Sequence, residues 1–127
     1  MRTWAIVFVV LLIAAALLSA CSDDPLGYSY KDLPTGDAAR GATVFTARCA
    51  SCHALDEGRG PGPSLAGYGA TAGSRVKNQS AADYTFNSIL RPSKHLVQGF
   101  SNVMPSDYDE KLSRQEIADL IAYLLAL

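Results

Sequence analysis

The sequence predicts an all-α fold. Downstream of Ser113, apolar residues recur at i, i+3, i+4, i+7 and i+8, which is the stripe of an amphipathic helix. A second stretch with helical spacing covers residues 37–48, and no stretch of any length alternates apolar and polar residues as a β-strand does. The C-terminal stripe consists of Ile117, Leu120, Ile121, Leu124 and Leu125.

Length and charge indicate one small domain without a nucleic-acid partner. The chain has 127 residues, which is enough for a single domain. Its formal net charge of −1 lacks the basic excess that binding to nucleic acid requires.

The N-terminus predicts export and a membrane anchor. Residues 1–20 carry one early cation, Arg2, and then an uncharged apolar run, the pattern of a secretory signal peptide. The run ends in Leu18-Ser19-Ala20-Cys21, which resembles a bacterial lipobox and implies cleavage before Cys21 and lipidation of that residue. An uncleaved signal anchor is the alternative. Both interpretations tether the protein to a membrane, facing the periplasm or extracytoplasmic side.

A linker and the first helix follow. Residues 21–35 show no helical or alternating period, so we expect the lipidated cysteine to lead into a flexible linker and the domain to span residues 36–127. The helix at 37–48 begins near Asp37. Gly41 inside it costs about 1 kcal/mol relative to alanine, which indicates close approach of another helix.

The centre of the chain carries Cys49-Ala50-Ser51-Cys52-His53, which matches the C-x-x-C-H pattern of c-type haem attachment. Each sulfur can add to a different vinyl group of the porphyrin, and the histidine is then held under the ring as an iron ligand. A redox dithiol, a structural zinc site and a chance match are the alternatives. The dithiol lacks a βαβ setting, and zinc needs four ligands, for which His95 is the only further histidine. With two cysteines on haem, only Cys21 remains, so no disulfide framework is possible.

The remaining elements are a long loop and two helices. Residues 54–79 are rich in Gly and Pro, and a bound haem explains such a segment because the loop can wrap a flat apolar cofactor. Capping boxes predict helices that open at Ser80 and Ser113, the first of them ending before Pro92. Five apolar residues are expected either to line the haem pocket or to pack in the core: Tyr84, Phe86, Leu90, Leu96 and Phe100.

Taken in order, these motifs resemble class I cytochromes c over residues 36–127. The resemblance rests on Gly41-x-x-x-Phe45-x-x-x-Cys49-x-x-Cys52-His53, Gly62-Pro63-x-Leu65-x-Gly67, Val103-Met104-Pro105 and Leu120-Ile121-Ala122-Tyr123-Leu124. It implies the class I fold, in which the N- and C-terminal helices cross and long loops wrap one covalently bound haem c.

The resemblance also implies the roles of single residues. His53 and Met104 would bind the iron, and the Pro63 carbonyl would accept a hydrogen bond from His53. His95 is the rival sixth ligand. The implied cofactor-binding set is Cys49, Cys52, His53, Pro63, Leu65 and Met104.

The expected function is transfer of one electron at a time, without enzymatic activity. The expected partners are respiratory or photosynthetic redox proteins, such as a quinol-oxidising complex (alternative complex III) or a terminal oxidase. A haem peroxidase or gas sensor with an open sixth position is the alternative. Residues 58–100 carry five basic residues and one acidic residue, and residues 101–127 carry two basic and five acidic residues. We therefore expect the basic segment to attract an acidic partner, unless it is an ordinary solvated loop.

Overall fold

The computed structural model describes residues 26–127, and this part of the chain is helical without β-strands. Three short 3₁₀ helices, Tyr30–Asp32, Ala72–Ser74 and Pro92–Lys94, lie between the α-helices. The all-α prediction is therefore confirmed. The α-helices are α1 (Ala38–Arg48), α2 (Tyr68–Thr71), α3 (Ala81–Leu90), α4 (Tyr108–Lys111) and α5 (Arg114–Leu125).

The first and last long helices cross at a glycine, as predicted. Gly41 is buried, and a Cβ built on it would lie 2.0 Å from the Asp119 carbonyl oxygen and 2.7 Å from the Tyr123 Cβ. No residue with a side chain fits there unless the helices separate. One turn later, the rings of Phe45 and Tyr123 pack with their centroids 5.5 Å apart.

A buried carboxylate, which sequence analysis did not identify, fastens the same crossing. Asp119 is 2 % exposed and accepts hydrogen bonds from the Asp37 backbone N–H at 2.7 Å, Arg40 Nε at 2.7 Å and Gln115 Nε2 at 2.9 Å. The hydrogen bond from Arg40, helped by those from Gln115 and Asp37, lowers the pKa of Asp119 to about 2. The carboxylate is therefore ionised at neutral pH and joins the start of α1 to the middle of α5.

Local capping signals place the other helix ends where the sequence predicts them. Ser80 Oγ accepts a hydrogen bond from the Asp83 N–H at 3.1 Å and opens α3, which ends at Leu90, two residues before Pro92. Ser113 and Glu116 form the reciprocal capping box of α5. The predicted starts and ends are confirmed at these positions.

Residues 26–35, the described part of the predicted flexible linker, pack on the domain. Tyr30–Asp32 forms a 3₁₀ turn, and Leu26, Tyr28, Tyr30 and Leu33 are partly buried against the core. Packing on the domain removes their apolar surface from water, and this burial holds the stretch against the core. Within residues 26–127, no helix is long and apolar enough to cross a bilayer. The predicted signal peptide 1–20 and Cys21 lie outside the described residues.

Candidate functional site

A single open cavity brings the predicted site residues together. It contains about 1350 Å³ of empty space, including its mouth, and lies between the end of α1, the loop at 61–65, helix α3, the segment 95–105 and helix α5. Six residues predicted to bind the cofactor line it: Cys49, Cys52, His53, Pro63, Leu65 and Met104. The walls are mainly apolar, which suits a flat apolar macrocycle.

The two thiols lie on a tight turn at the end of α1. The backbone N–H groups of Cys52 and His53 both donate to the Cys49 carbonyl oxygen at 3.0 Å, so the turn is closed by its own hydrogen bonds. Cys49 is half-buried and Cys52 is exposed, and neither is in a disulfide. Burial, together with the neighbouring Cys52, raises the pKa of the free Cys49 thiol to about 11. A redox dithiol has the opposite tendency, because its nucleophile is a thiolate with a lowered pKa.

The His53 ring is fixed from two sides. Its Nδ1 lies 2.9 Å from the Pro63 carbonyl oxygen, the contact that the resemblance implies, so Nδ1–H donates and Nε2 keeps its lone pair for a metal. A Cβ on Gly62 would lie 2.6 Å from the ring carbon Cε1. Only glycine allows the backbone to pass so close to the ring, and this role of Gly62 was not recognised in the sequence.

Two backbone hydrogen bonds hold this loop against the cysteine turn. The Gly62 N–H donates to the Cys52 carbonyl oxygen at 3.0 Å, and the Leu65 N–H donates to the Ala54 carbonyl oxygen at 2.8 Å. These bonds fix the position of the loop relative to the residues that precede it. This explains how an irregular segment can orient a ligand.

Tyr108 is a cavity residue that sequence analysis missed. Its side chain is buried, and its hydroxyl donates to the Arg48 carbonyl oxygen at 3.0 Å. Burial raises the pKa of Tyr108, so the hydroxyl stays protonated and keeps the bond over the neutral range. Helix α4 thereby holds the last residue of α1, which directly precedes Cys49. Tyr108 lies four residues after Met104, and no neighbouring residue in the sequence indicates that its hydroxyl will bind the Arg48 carbonyl.

One part of the wall is polar. Tyr68 and Thr85 share a hydrogen bond of 2.9 Å between their hydroxyls, and the Arg75 guanidinium lies 5.9 Å from the centre of the Tyr68 ring. The Ser88 hydroxyl also borders the cavity, is buried, and has no hydrogen-bond partner in the described residues. A bound group that carries polar substituents would satisfy it, so these residues fit a haem, which is apolar in its body and acidic at two substituents.

The far side of the cavity holds both candidate sixth ligands. Met104 is half-buried, whereas His95 is exposed and packs edge-on against Tyr84 with ring centroids 5.8 Å apart. Of the five apolar residues expected either to line the haem pocket or to pack in the core, Tyr84, Leu96 and Phe100 line the cavity. The other two, Phe86 and Leu90, pack in the core.

Comparison with known proteins agrees with this geometry. The family model described as cytochrome c matches residues 38–127. The chain is 34% identical over 112 residues to a cytochrome c of Guizotia abyssinica, covering 77% of this chain and 96% of the relative. It is 34% identical over 110 residues to a cytochrome c of Gossypium barbadense, covering 76% and 95% of the two chains. A cytochrome c of Theileria annulata is 38% identical over 103 residues, covering 72% and 87%.

The family match extends over both crossing helices, the cysteine turn, the loop at 61–65 and Met104, all of which the structure arranges around one cavity. Cytochromes c hold haem c through a pair of cysteines, and Cys49 and Cys52 provide that pair here. The chain belongs to the cytochrome c family.

Proposed function

We propose that this cytochrome c is a one-electron carrier held at the outer face of a membrane, where it serves a respiratory or photosynthetic chain. The observation that carries the proposal is the convergence of the paired cysteines, an oriented His53 and Met104 on one cavity. Electron carriage follows from the family, and the membrane attachment follows from the sequence around Cys21.

The residues of the chain perform three tasks in this function. His53 would hold the iron through Nε2, with its tautomer set by the Pro63 carbonyl, and Met104 would hold it through its thioether sulfur. When bound, haem supplies an iron that changes its charge by one unit. The apolar wall excludes water around it, and a thioether raises the potential relative to a second imidazole.

If His53 and Met104 both bind the iron, no coordination position is open to a substrate or a gas. A peroxidase or a gas sensor needs such an open position, whereas an electron carrier does not. Carbon monoxide added to the reduced protein tests this directly. We expect no change in the absorption spectrum at a carbon monoxide concentration that saturates the Met104→Ala variant. Equal binding by both proteins would favour the enzyme or sensor instead.

The surface beside the cavity supports an acidic partner. The cavity-lining residues include Arg48 and Arg75 and no Asp or Glu. Exposed apolar side chains line the same cavity as these cations: Leu96 and Val103 are 49% and 64% exposed. An apolar contact area beside positive charge suits transient docking of an acidic redox protein. The rate of electron exchange with such a partner should fall as salt is raised above about 0.1 M, where the screening length is about 10 Å. A rate independent of salt would rule out this steering.

The partner is a quinol-oxidising complex such as alternative complex III, or a terminal oxidase. The protein is a stable subunit in one version of the proposal and a tethered shuttle in the other. Purification from native membranes in mild detergent distinguishes them, because a subunit co-elutes with the large complex and a shuttle does not. Intact mass of the purified protein reports cleavage before Cys21, acylation and haem addition together.

A further inference from the structure

The N-terminal part of the described chain is fastened to the domain at several points. We call residues 26–37 the N-terminal strap. The Arg114 guanidinium lies 4.2 Å from the centre of the Tyr28 ring, and that ring meets Phe86 edge-on at 5.6 Å. Further along, Gln115 Nε2 donates to the Thr35 carbonyl oxygen at 2.9 Å. The strap is therefore part of the folded domain, with contacts to both α3 and α5.

The tether between the strap and the proposed anchor is short. Four residues, 22–25, separate Cys21 from Leu26, which is already packed against the core. Fully extended, the five steps from Cys21 to Leu26 reach about 17 Å. A domain of this length is about 30 Å across, since a 100-residue domain has a radius of gyration of about 13 Å. The tether is thus shorter than the domain that it holds, so the domain cannot turn its opposite face to the membrane.

The strap and the haem cavity lie on different sides of α3. Phe86 receives the strap and does not line the cavity, whereas Tyr84, Thr85, Ser88 and Ile89 do. At about 100° of rotation per residue, Phe86 lies about 130° around the helix from the middle of that cavity-lining face. Among residues 26–37, none lines the cavity.

From these three observations we infer that the strap is the surface that faces the lipid headgroups and that it turns the haem cavity away from the bilayer. The inference rests on the proposed membrane attachment at Cys21. It names the kind of partner that the cavity can meet: a redox domain that stands in the aqueous phase above the membrane, not a site buried among the lipids. Lys31, at the turn of the strap, is exposed and has a side chain that lies readily at a headgroup surface.

Site-directed spin labelling of the full anchored chain tests the orientation. One cysteine is introduced at Lys31 on the strap or at Ser101, an exposed residue on the cavity rim, and each is labelled with a nitroxide. The haem is reduced and the excess reductant removed before labelling, because ferric iron would itself relax the label and free reductant would destroy it. The labelled proteins are then reconstituted in vesicles of phosphatidylethanolamine and phosphatidylglycerol with a nickel-chelating headgroup lipid. Unmutated protein labelled in parallel gives the background. We expect the nickel to relax the label at Lys31→Cys several-fold more than the label at Ser101→Cys.

A matched variant isolates the role of tether length. About twelve Gly and Ser residues inserted between Pro25 and Leu26 lengthen the tether without touching the strap, and such linkers behave as flexible coils. We expect the inserted protein to stay on the vesicles and the difference between the two labels to disappear. Equal relaxation at both sites without the insertion, or stronger relaxation at Ser101→Cys, would overturn the inference. Failure of the protein to float with vesicles would end it by removing the anchor, whereas electron exchange in solution tests the carrier function separately.

Discussion

Replacing Asp119 with asparagine should loosen the crossing of α1 and α5. The carboxylate uses both oxygens, because Oδ1 accepts from the Asp37 N–H and Oδ2 accepts from Arg40 Nε. An asparagine keeps one acceptor and turns an NH₂ group towards one of these donors. The substitution therefore removes a charge-assisted hydrogen bond and places two donors face to face.

The lowered pKa gives the size of the effect. Asp119 titrates near 2 in the folded protein, against an ordinary value of 3.8. A difference of this size corresponds to roughly 2 kcal/mol at neutral pH. The Arg40 side chain is 58% exposed, so water screens part of the interaction and we expect the substitution to lower the free energy of unfolding by about 1–2 kcal/mol. For a domain of about 100 residues this lowers the thermal midpoint by roughly 4–16 °C.

Thermal unfolding of the haem-loaded protein, followed by circular dichroism, measures the change. Because the folded pKa is depressed, the carboxylate contributes fully above about pH 4 and loses its contribution as the pH falls towards 2. The difference between Asp119→Asn and the unmutated protein should shrink over the same interval. Glu57→Gln, an exposed carboxyl in the loop, is the matched control and should leave the midpoint unchanged. An Asp119→Asn midpoint equal to that of the control at neutral pH would mean that the carboxylate does not stabilise the helix crossing.

Two glycines make further predictions. Gly41→Ala should cost at least about 2 kcal/mol of unfolding free energy, because its Cβ would lie 2.0 Å from the Asp119 carbonyl oxygen, and the gain in helix propensity of about 1 kcal/mol offsets only part of that. Gly62→Ala should displace the His53 ring, seen as a change in the absorption spectrum of the oxidised protein, because its Cβ would lie 2.6 Å from Cε1. Gly73→Ala is the control for both, since its Cβ would meet the nearest atom at an ordinary 3.6 Å. Unaltered stability in the first variant, or an unaltered spectrum in the second, would contradict the packing described above.

The helix ends and the helix crossing were predictable because their signals are local or periodic. Ser80 and Ser113 satisfy backbone N–H groups within their own first turn, so a short stretch of sequence contains the whole interaction. Gly41 was informative for another reason. A glycine inside a strongly periodic helix is unfavourable alone, so its presence predicts the partner that needs the space.

The strap and the Asp119 network were not predictable, because their contacts join residues far apart in sequence. Nothing in the sequence near Tyr28 indicates that Arg114 will cover its ring. Asp119 looks like an ordinary polar residue of the helix, because its partner Arg40 lies far away in the sequence. Tyr108 escaped notice for the same reason. The short helix Tyr68–Thr71 lies inside the predicted irregular segment and depends on packing against α5, where Gly69 approaches the Leu125 carbonyl oxygen.

We expect one covalently held haem whose iron is bound by both His53 and Met104. Near-infrared absorption of the oxidised protein at neutral pH identifies the sulfur ligand, because a sulfur-to-iron band requires a thioether. The band should be present in the unmutated protein and in His95→Ala, and it should be lost in Met104→Ala. A band absent from the unmutated protein, or a spectrum that changes with His95→Ala and not with Met104→Ala, would mean that Met104 does not bind the iron.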